Sequence, residues 1–145
     1  MNSPLVHLIQ FEAGSAGLSG PIPSLAGLTA LNYFIVPNNQ LTGPIPSLAG
    51  LSNLKQLRIG ANFLTGTVPS LAGLTSLEDL RIDFNQLRGP MPPPPPSPNL
   101  THASLCPNYL DPDASASWDT LTGTTPWYAS CTPLPDPVSA DGFDG

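Results

Sequence analysis

Apolar side chains recur along this chain in a fixed order of gaps: three, three, two. Leu51, Leu54, Leu57 and Ile59 show it most clearly. The final gap of two is the period of a β-strand and puts Leu57 and Ile59 on one face. The same order returns at Leu28, Leu31, Phe34 and Val36, and again at Leu74, Leu77, Leu80 and Ile82. Residues 28–50, 51–73 and 74–92 align without gaps, and a weaker copy at 5–27 precedes them. Asn39, Asn62 and Asn85 stand 23 residues apart, as do Leu41, Leu64 and Leu87, and Gly43, Gly66 and Gly89. Each block predicts a short strand, a bend and an extended return. A unit this small buries little by itself, so stacked copies must share one core, which is the definition of a solenoid.

The polar positions complete the coil. The short amide of Asn62 can hydrogen-bond backbone groups in the bend, and Asn39, Asn62 and Asn85 would stack into a buried ladder. Gly66 permits a tight backbone path, and Pro69 suits an extended return without regular helix. The strands near Phe11, Phe34, Leu57 and Leu80 should pair in parallel and line the concave side. The inward set is Leu28, Leu31, Phe34, Val36, Leu41, Ile45 and Leu48 in the second coil. It is Leu51, Leu54, Leu57, Ile59, Leu64, Val68 and Leu71 in the third, and Leu74, Leu77, Leu80, Ile82, Leu87 and Met91 in the fourth. The first coil offers Leu5, Leu8, Phe11, Ala13, Leu18, Ile22 and Leu25. With a small Ala13, and Ala16 in place of the asparagine, it is expected to be the least ordered.

Residues between the inward strand positions face outward on the concave side. The first coil gives Gln10, Glu12 and Ser15, and the third adds Ala61. The candidate ligand-binding residues are Tyr33, Ile35, Asn38, Gln56, Arg58, Asp79, Arg81, Asp83 and Phe84. Arg58 and Arg81 would stack one coil apart in a chain with only four basic residues. Aromatic and arginine side chains are enriched at protein contacts. A strand face without any partner also accommodates such residues, and Arg58 could pair with Asp79 or Asp83 across coils.

Composition narrows the partner. The chain has 145 residues, a net charge of −6 and 20 prolines. The four acids and four bases before Asn99 cancel, so the whole net charge lies beyond Pro98, on six aspartates. With no basic field to hold a phosphate backbone, nucleic acid is not an expected partner. No run of 18 apolar residues predicts a membrane span. The first ten residues lack a basic start and a long apolar core, so they do not read as a signal peptide. His7 and His102 have no patterned partners, and the two cysteines lack the company of a zinc site. Glu78, Asp79 and Asp83 form a modest acidic group that nothing encloses. No catalytic residue, metal site or cofactor is expected.

Prolines crowd into Pro90–Pro98, a stretch that predicts polyproline II. It reads as a stiff linker or as an extension of the last coil's return, with docking into an aromatic-lined groove as the rarer use. The expected organisation is therefore repeats over 1–92 and a polyproline linker over 90–98. A small cap-like segment over 99–133 and a disordered acidic tail over 134–145 would follow.

The run Asn39-Gln-Leu41-Thr-Gly43-Pro-Ile45-Pro46, repeated as Asn62-Phe-Leu64-Thr-Gly66-Thr-Val68-Pro69, resembles the plant class of extracellular leucine-rich repeats. The resemblance implies a short curved leucine-rich-repeat solenoid with a parallel sheet on its concave face. The convex side would be irregular, 3-10 or polyproline-like. Receptor-kinase ectodomains, receptor-like proteins and polygalacturonase inhibitors belong to this class. The implied function is non-catalytic recognition of a protein, peptide or cell-wall polysaccharide, in a secreted or surface-exposed protein. A wall-associated structural protein with the solenoid as spacer is the alternative. The chain departs from the class in its repeat of 23 rather than 24 residues and in lacking the paired cysteines of an N-terminal cap. It therefore reads as a piece of a longer member. Such repeats often end in a cysteine pair, which implies a disulfide between Cys106 and Cys131; two free thiols are the other reading. Asn99-Leu100-Thr101 fits the acceptor pattern for N-glycosylation, which an exported chain could use.

Overall fold

A computed structural model describes residues 7–112 and 117–131. The strands are β1 (Gln10–Glu12), β2 (Ser19–Pro21), β3 (Tyr33–Ile35), β4 (Gln40–Pro44), β5 (Gln56–Arg58), β6 (Phe63–Thr65), β7 (Asp79–Arg81), β8 (Arg88–Gly89), β9 (His102–Ser104) and β10 (Tyr109–Leu110). A short helix α1 (Asp119–Thr122) and a 3-10 turn (Trp127–Ser130) follow. The strands β1-β3-β5-β7-β9 form one parallel sheet, in register at every 23-residue step from Phe11 through Phe34, Leu57 and Leu80 to Ala103. This is the curved leucine-rich-repeat solenoid expected from the sequence.

The core is the stack of inward positions. All seven of the third coil and all six of the fourth are buried, with Leu51, Leu54, Ile59, Leu64, Leu74, Leu77 and Leu87 at 0 % exposure. In the second coil only Leu28 is half-buried. The first coil is the exposed end: Phe11 is 40 % exposed, and Leu8, Ala13 and Leu18 are half-buried. Leu5 lies outside the described residues. An apolar hollow of about 380 Å³ between Leu8, Phe11, Leu18, Leu25 and Leu28 opens at this end. Phe11 stacks on Phe34 with ring centroids 5.6 Å apart.

The predicted asparagine ladder is present. Asn62 donates to the carbonyls of Val36, Ile59 and Gly60 at 3.1, 3.0 and 3.3 Å, and its Oδ1 accepts from Leu41 N–H at 3.1 Å. Asn39 and Asn85 repeat the arrangement. Each rung ties two coils through backbone groups that would otherwise be buried without partners.

Two features go beyond the sequence reading. The segments after the ladder pair into a second parallel sheet, β2-β4-β6, with β8-β10 continuing the theme. Gly20, Gly43, Gly66 and Gly89, with φ of 82, 76, 78 and 80°, occupy one position of the repeat, within or just after these strands, in a conformation that favours glycine. The second feature moves a boundary. The repeats do not stop at Pro92: β9 pairs with β7, and Asn108 adds a further rung, donating to Ile82 and Leu105 carbonyls at 2.9 and 2.8 Å. Residues expected to form a separate cap-like segment are in part a fifth coil. The proline run serves as the fourth coil's return, with Met91 and Pro95 buried, and is not a free linker.

Beyond the fifth coil a small lid closes the solenoid. Cys106 and Cys131 are disulfide-bonded, with Cα atoms 4.6 Å apart. Trp118 and Trp127 are buried at 2 % and 1 %, and Trp118 Nε1 donates to the Pro92 carbonyl at 2.9 Å. The expected acidic tail at 134–145 lies outside the described residues.

Candidate functional site

The concave sheet sets the geometry of the candidate face. Parallel register puts Tyr33 beside Gln56 and Ile35 beside Arg58, then Gln56 beside Asp79 and Arg58 beside Arg81. Two guanidiniums one strand apart would repel, and Asp79 resolves the conflict. Arg58 Nε and Nη2 each reach Asp79 Oδ2 at 2.8 Å, and Arg81 Nε donates to the same oxygen at 3.1 Å. Asp79 is 7 % exposed, sheltered beneath the two arginines. Asp79 holds both arginine side chains from below. One carboxylate thus bridges two guanidiniums through charge-assisted hydrogen bonds.

The chain beyond each strand turns through a left-handed residue: Ser15, Asn38, Ala61 and Phe84 have φ of 52, 58, 56 and 57°. This turn ends the strand, and after Asn38, Ala61 and Phe84 it brings the following asparagine into the core. It also carries Asn38 and Phe84 onto the rim of the sheet, where Phe84 is 59 % exposed. Between the rim and the arginines lies a shallow cleft of about 340 Å³, lined by Pro37, Asn38, Arg58, Gly60, Ala61, Arg81, Asp83 and Phe84. Gly60 makes room in it, since a Cβ there would sit 2.7 Å from Asp83 Oδ1. Burial raises the Asp83 carboxyl above its ordinary range, opposed by a backbone hydrogen bond and by the charges of Arg81 and His102.

Of the nine candidate residues, Asn38, Arg58, Arg81, Asp83 and Phe84 meet in this cleft. Asp79 lies under it, and Tyr33, Ile35 and Gln56 line the sheet beside it, half-buried and outside the cleft. Sequence reasoning missed Pro37 and Gly60. The signal was their shared place in the repeat with Asp83, one residue before the outward position of Asn38, Ala61 and Phe84. It also missed His102 and Ser104, which extend the face onto β9 and share a hydrogen bond at 2.9 Å. Continuing the 23-residue count past Pro92 would have found them.

No protein-family model and no curated protein matches the chain. Solved structures do. The crystal structure of a TDR receptor shares 36 % identity and a TM-score of 0.71, over 79 % of this chain and 20 % of that one. The leucine-rich-repeat ectodomain of the Arabidopsis receptor kinase HAESA, solved with an IDA peptide hormone ligand, shares 28 % identity and a TM-score of 0.64, over 73 % of this chain and 18 % of that one. The BIR3–SERK2 complex from Arabidopsis thaliana gives 25 % identity and a TM-score of 0.68, over 85 % of this chain and 71 % of the matched one. The chain thus spans about a fifth of the length of the first two structures it matches.

Fold, ladder and likeness together define the class: this is a plant-type leucine-rich-repeat domain resembling receptor-kinase ectodomains. Among the described residues no helix is long and apolar enough to cross a membrane, and no group of three or more His, Cys, Asp or Glu is placed to hold a metal ion.

Proposed function

We propose that the chain is an extracellular recognition module that binds a peptide or a protein segment along its concave face, centred on the cleft beside Arg58 and Arg81. The observation that carries this reading is the convergence of Asn38, Arg58, Arg81, Asp83 and Phe84 in one open cleft on a rigid parallel sheet. An aromatic ring at the rim gives apolar contact, preoriented guanidiniums give directed hydrogen bonds, and the sheet beneath loses little entropy on binding. The likeness to receptor ectodomains, one of them solved with a peptide hormone, supports the same reading over that of a polygalacturonase inhibitor. The disulfide suits an oxidising, extracellular setting. The wall-spacer alternative loses its main support, because the proline run is packed into the fourth coil and the lid.

An array of secreted plant peptides and cell-wall oligosaccharides, probed with the whole chain, tests the reading. A peptide ligand should lose at least about tenfold in affinity with Arg81→Ala or Phe84→Ala, a loss of about 1.4 kcal/mol each. It should be indifferent to Thr65→Ala on the second sheet. Binding that survives both concave substitutions and fails with Thr65→Ala would place the site elsewhere.

A further inference from the structure

One motif is not used by the recognition face: Asn99-Leu100-Thr101, the single Asn-X-Ser/Thr triplet of the chain. We propose that Asn99 is an N-glycosylation site whose glycan stands at the strand-entry end of the fifth coil. The proposal rests on the extracellular reading above, and its test supplies export independently.

The geometry favours modification. Asn99 and Thr101 are both exposed, while Leu100 between them is 8 % exposed and belongs to the core. The backbone is held on either side: Leu100 N–H donates to the Ser97 carbonyl at 3.3 Å and Thr101 N–H to the Glu78 carbonyl at 3.2 Å. Ser97 Oγ donates to the Leu77 carbonyl at 2.6 Å. The acceptor triplet is therefore presented outward from a fixed turn. Repeat register supplies a contrast. Asn53 holds the matching place two coils earlier, and its amide is spent on the Thr29 carbonyl at 2.7 Å. Asn99 makes no side-chain hydrogen bond among the described residues. Its amide nitrogen can point to solvent without breaking the fold.

The reaction needs a polyprenyl-diphosphate-linked oligosaccharide as donor. A bond forms between Asn99 Nδ2 and the sugar C1. The bond from C1 to the diphosphate oxygen breaks, the lipid diphosphate leaves with the electron pair, and the amide gives up one proton. The Cys106–Cys131 bond suits an oxidising secretory route, where such transfer takes place. Asn99 precedes β9 by three residues, whereas the Phe84 cleft lies beyond the strand ends on the opposite rim. A glycan on Asn99 leaves that cleft open.

The test expresses the full chain behind a cleavable secretion leader in a eukaryotic host and maps the secreted protein by peptide mass. The Asn99 peptide should carry carbohydrate, lost on peptide-N-glycosidase treatment with conversion of Asn99 to Asp. Asn99→Gln and Thr101→Ala should abolish the modification, and Thr101→Ser should retain it. A secreted, disulfide-bonded chain whose Asn99 peptide is unmodified would overturn the proposal. So would carbohydrate that persists in both Asn99→Gln and Thr101→Ala.

Discussion

At the scale of single residues, the buried polar groups decide stability. Asn62 satisfies three carbonyls and one amide drawn from two coils. Truncating it leaves those groups in a core sealed by Leu41, Ile59 and Leu64, at about 1–3 kcal/mol for each group that water cannot reach. Asn62→Ala should cost about 3 kcal/mol or more, read as a lower denaturant midpoint, whereas Asn53→Ala at the surface should cost less than about 1 kcal/mol. Asp83 carries the opposite sign. Its folded pKa lies above its ordinary value of 3.8, because burial penalises the charged form. The stability it contributes is fully present below the unfolded value and is lost as pH rises through the raised folded value. Asp83→Asn should therefore stabilise the chain at pH 7 and leave it nearly unchanged at pH 3. A variant no more stable at pH 7 would show that Arg81 and the backbone hydrogen bond fully offset the burial.

The elements show where local rules end and context begins. The lid is α1, the 3-10 turn and two tryptophans, too small to hold a core without help. A disulfide across about 25 residues is worth roughly 3 kcal/mol through the unfolded chain. The double variant Cys106→Ser, Cys131→Ser should release the lid while the ladder persists. Trp118 and Trp127 are the only tryptophans, so their fluorescence should shift to the red as they meet water, with the far-ultraviolet signal of the sheets kept. The lid also explains which elements the sequence revealed. Coils two to four were legible because every inward position is a large apolar residue and every bend has its asparagine. The fifth was not. Ser97 stands where leucine is expected, Ala103 takes the central strand position, and the prolines of the fourth coil's return break the pattern just before it, leaving Leu100, Leu105, Asn108 and Leu110 to keep the register. A coil covered by the lid tolerates such losses, because Trp118, Trp127 and the disulfide supply burial from outside the repeat. The candidate face was legible as a strip of outward positions. The cleft was not, because it depends on the left-handed turn at Asn38, Ala61 and Phe84 and on the space left at Gly60. The burial of Asp79 was equally hidden, since it follows from two arginines folding over one carboxylate.

At the scale of the whole molecule the solenoid is a one-dimensional stack with unequal ends. Each coil gains its stability from its neighbours, so the ends set where opening begins. The far end is closed by the lid. The near end shows Phe11 at 40 % and Ile9 at 54 % exposure over an apolar hollow, with β1 bonded on one side only among the described residues. Unfolding should therefore start at β1 and advance toward β7. Amides bonded across the sheet make this measurable: Ala13 N–H, donated to the Ile35 carbonyl, should exchange much faster than Ile59 N–H, donated to Arg81. The same gradient predicts unequal mutational costs. Phe11→Ala removes a ring that water already reaches and should cost about 1 kcal/mol or less. Leu57→Ala opens a hole at a position 2 % exposed between two coils and should cost about 3 kcal/mol. Ile59 and Ala13 exchanging at one common rate, with equal costs for Phe11→Ala and Leu57→Ala, would mean that the coils open together and that the hollow at the near end is not a weak point. A steep gradient would instead make the cleft beside Arg58 and Arg81 the rigid part of the face, held between the lid and the fraying coil.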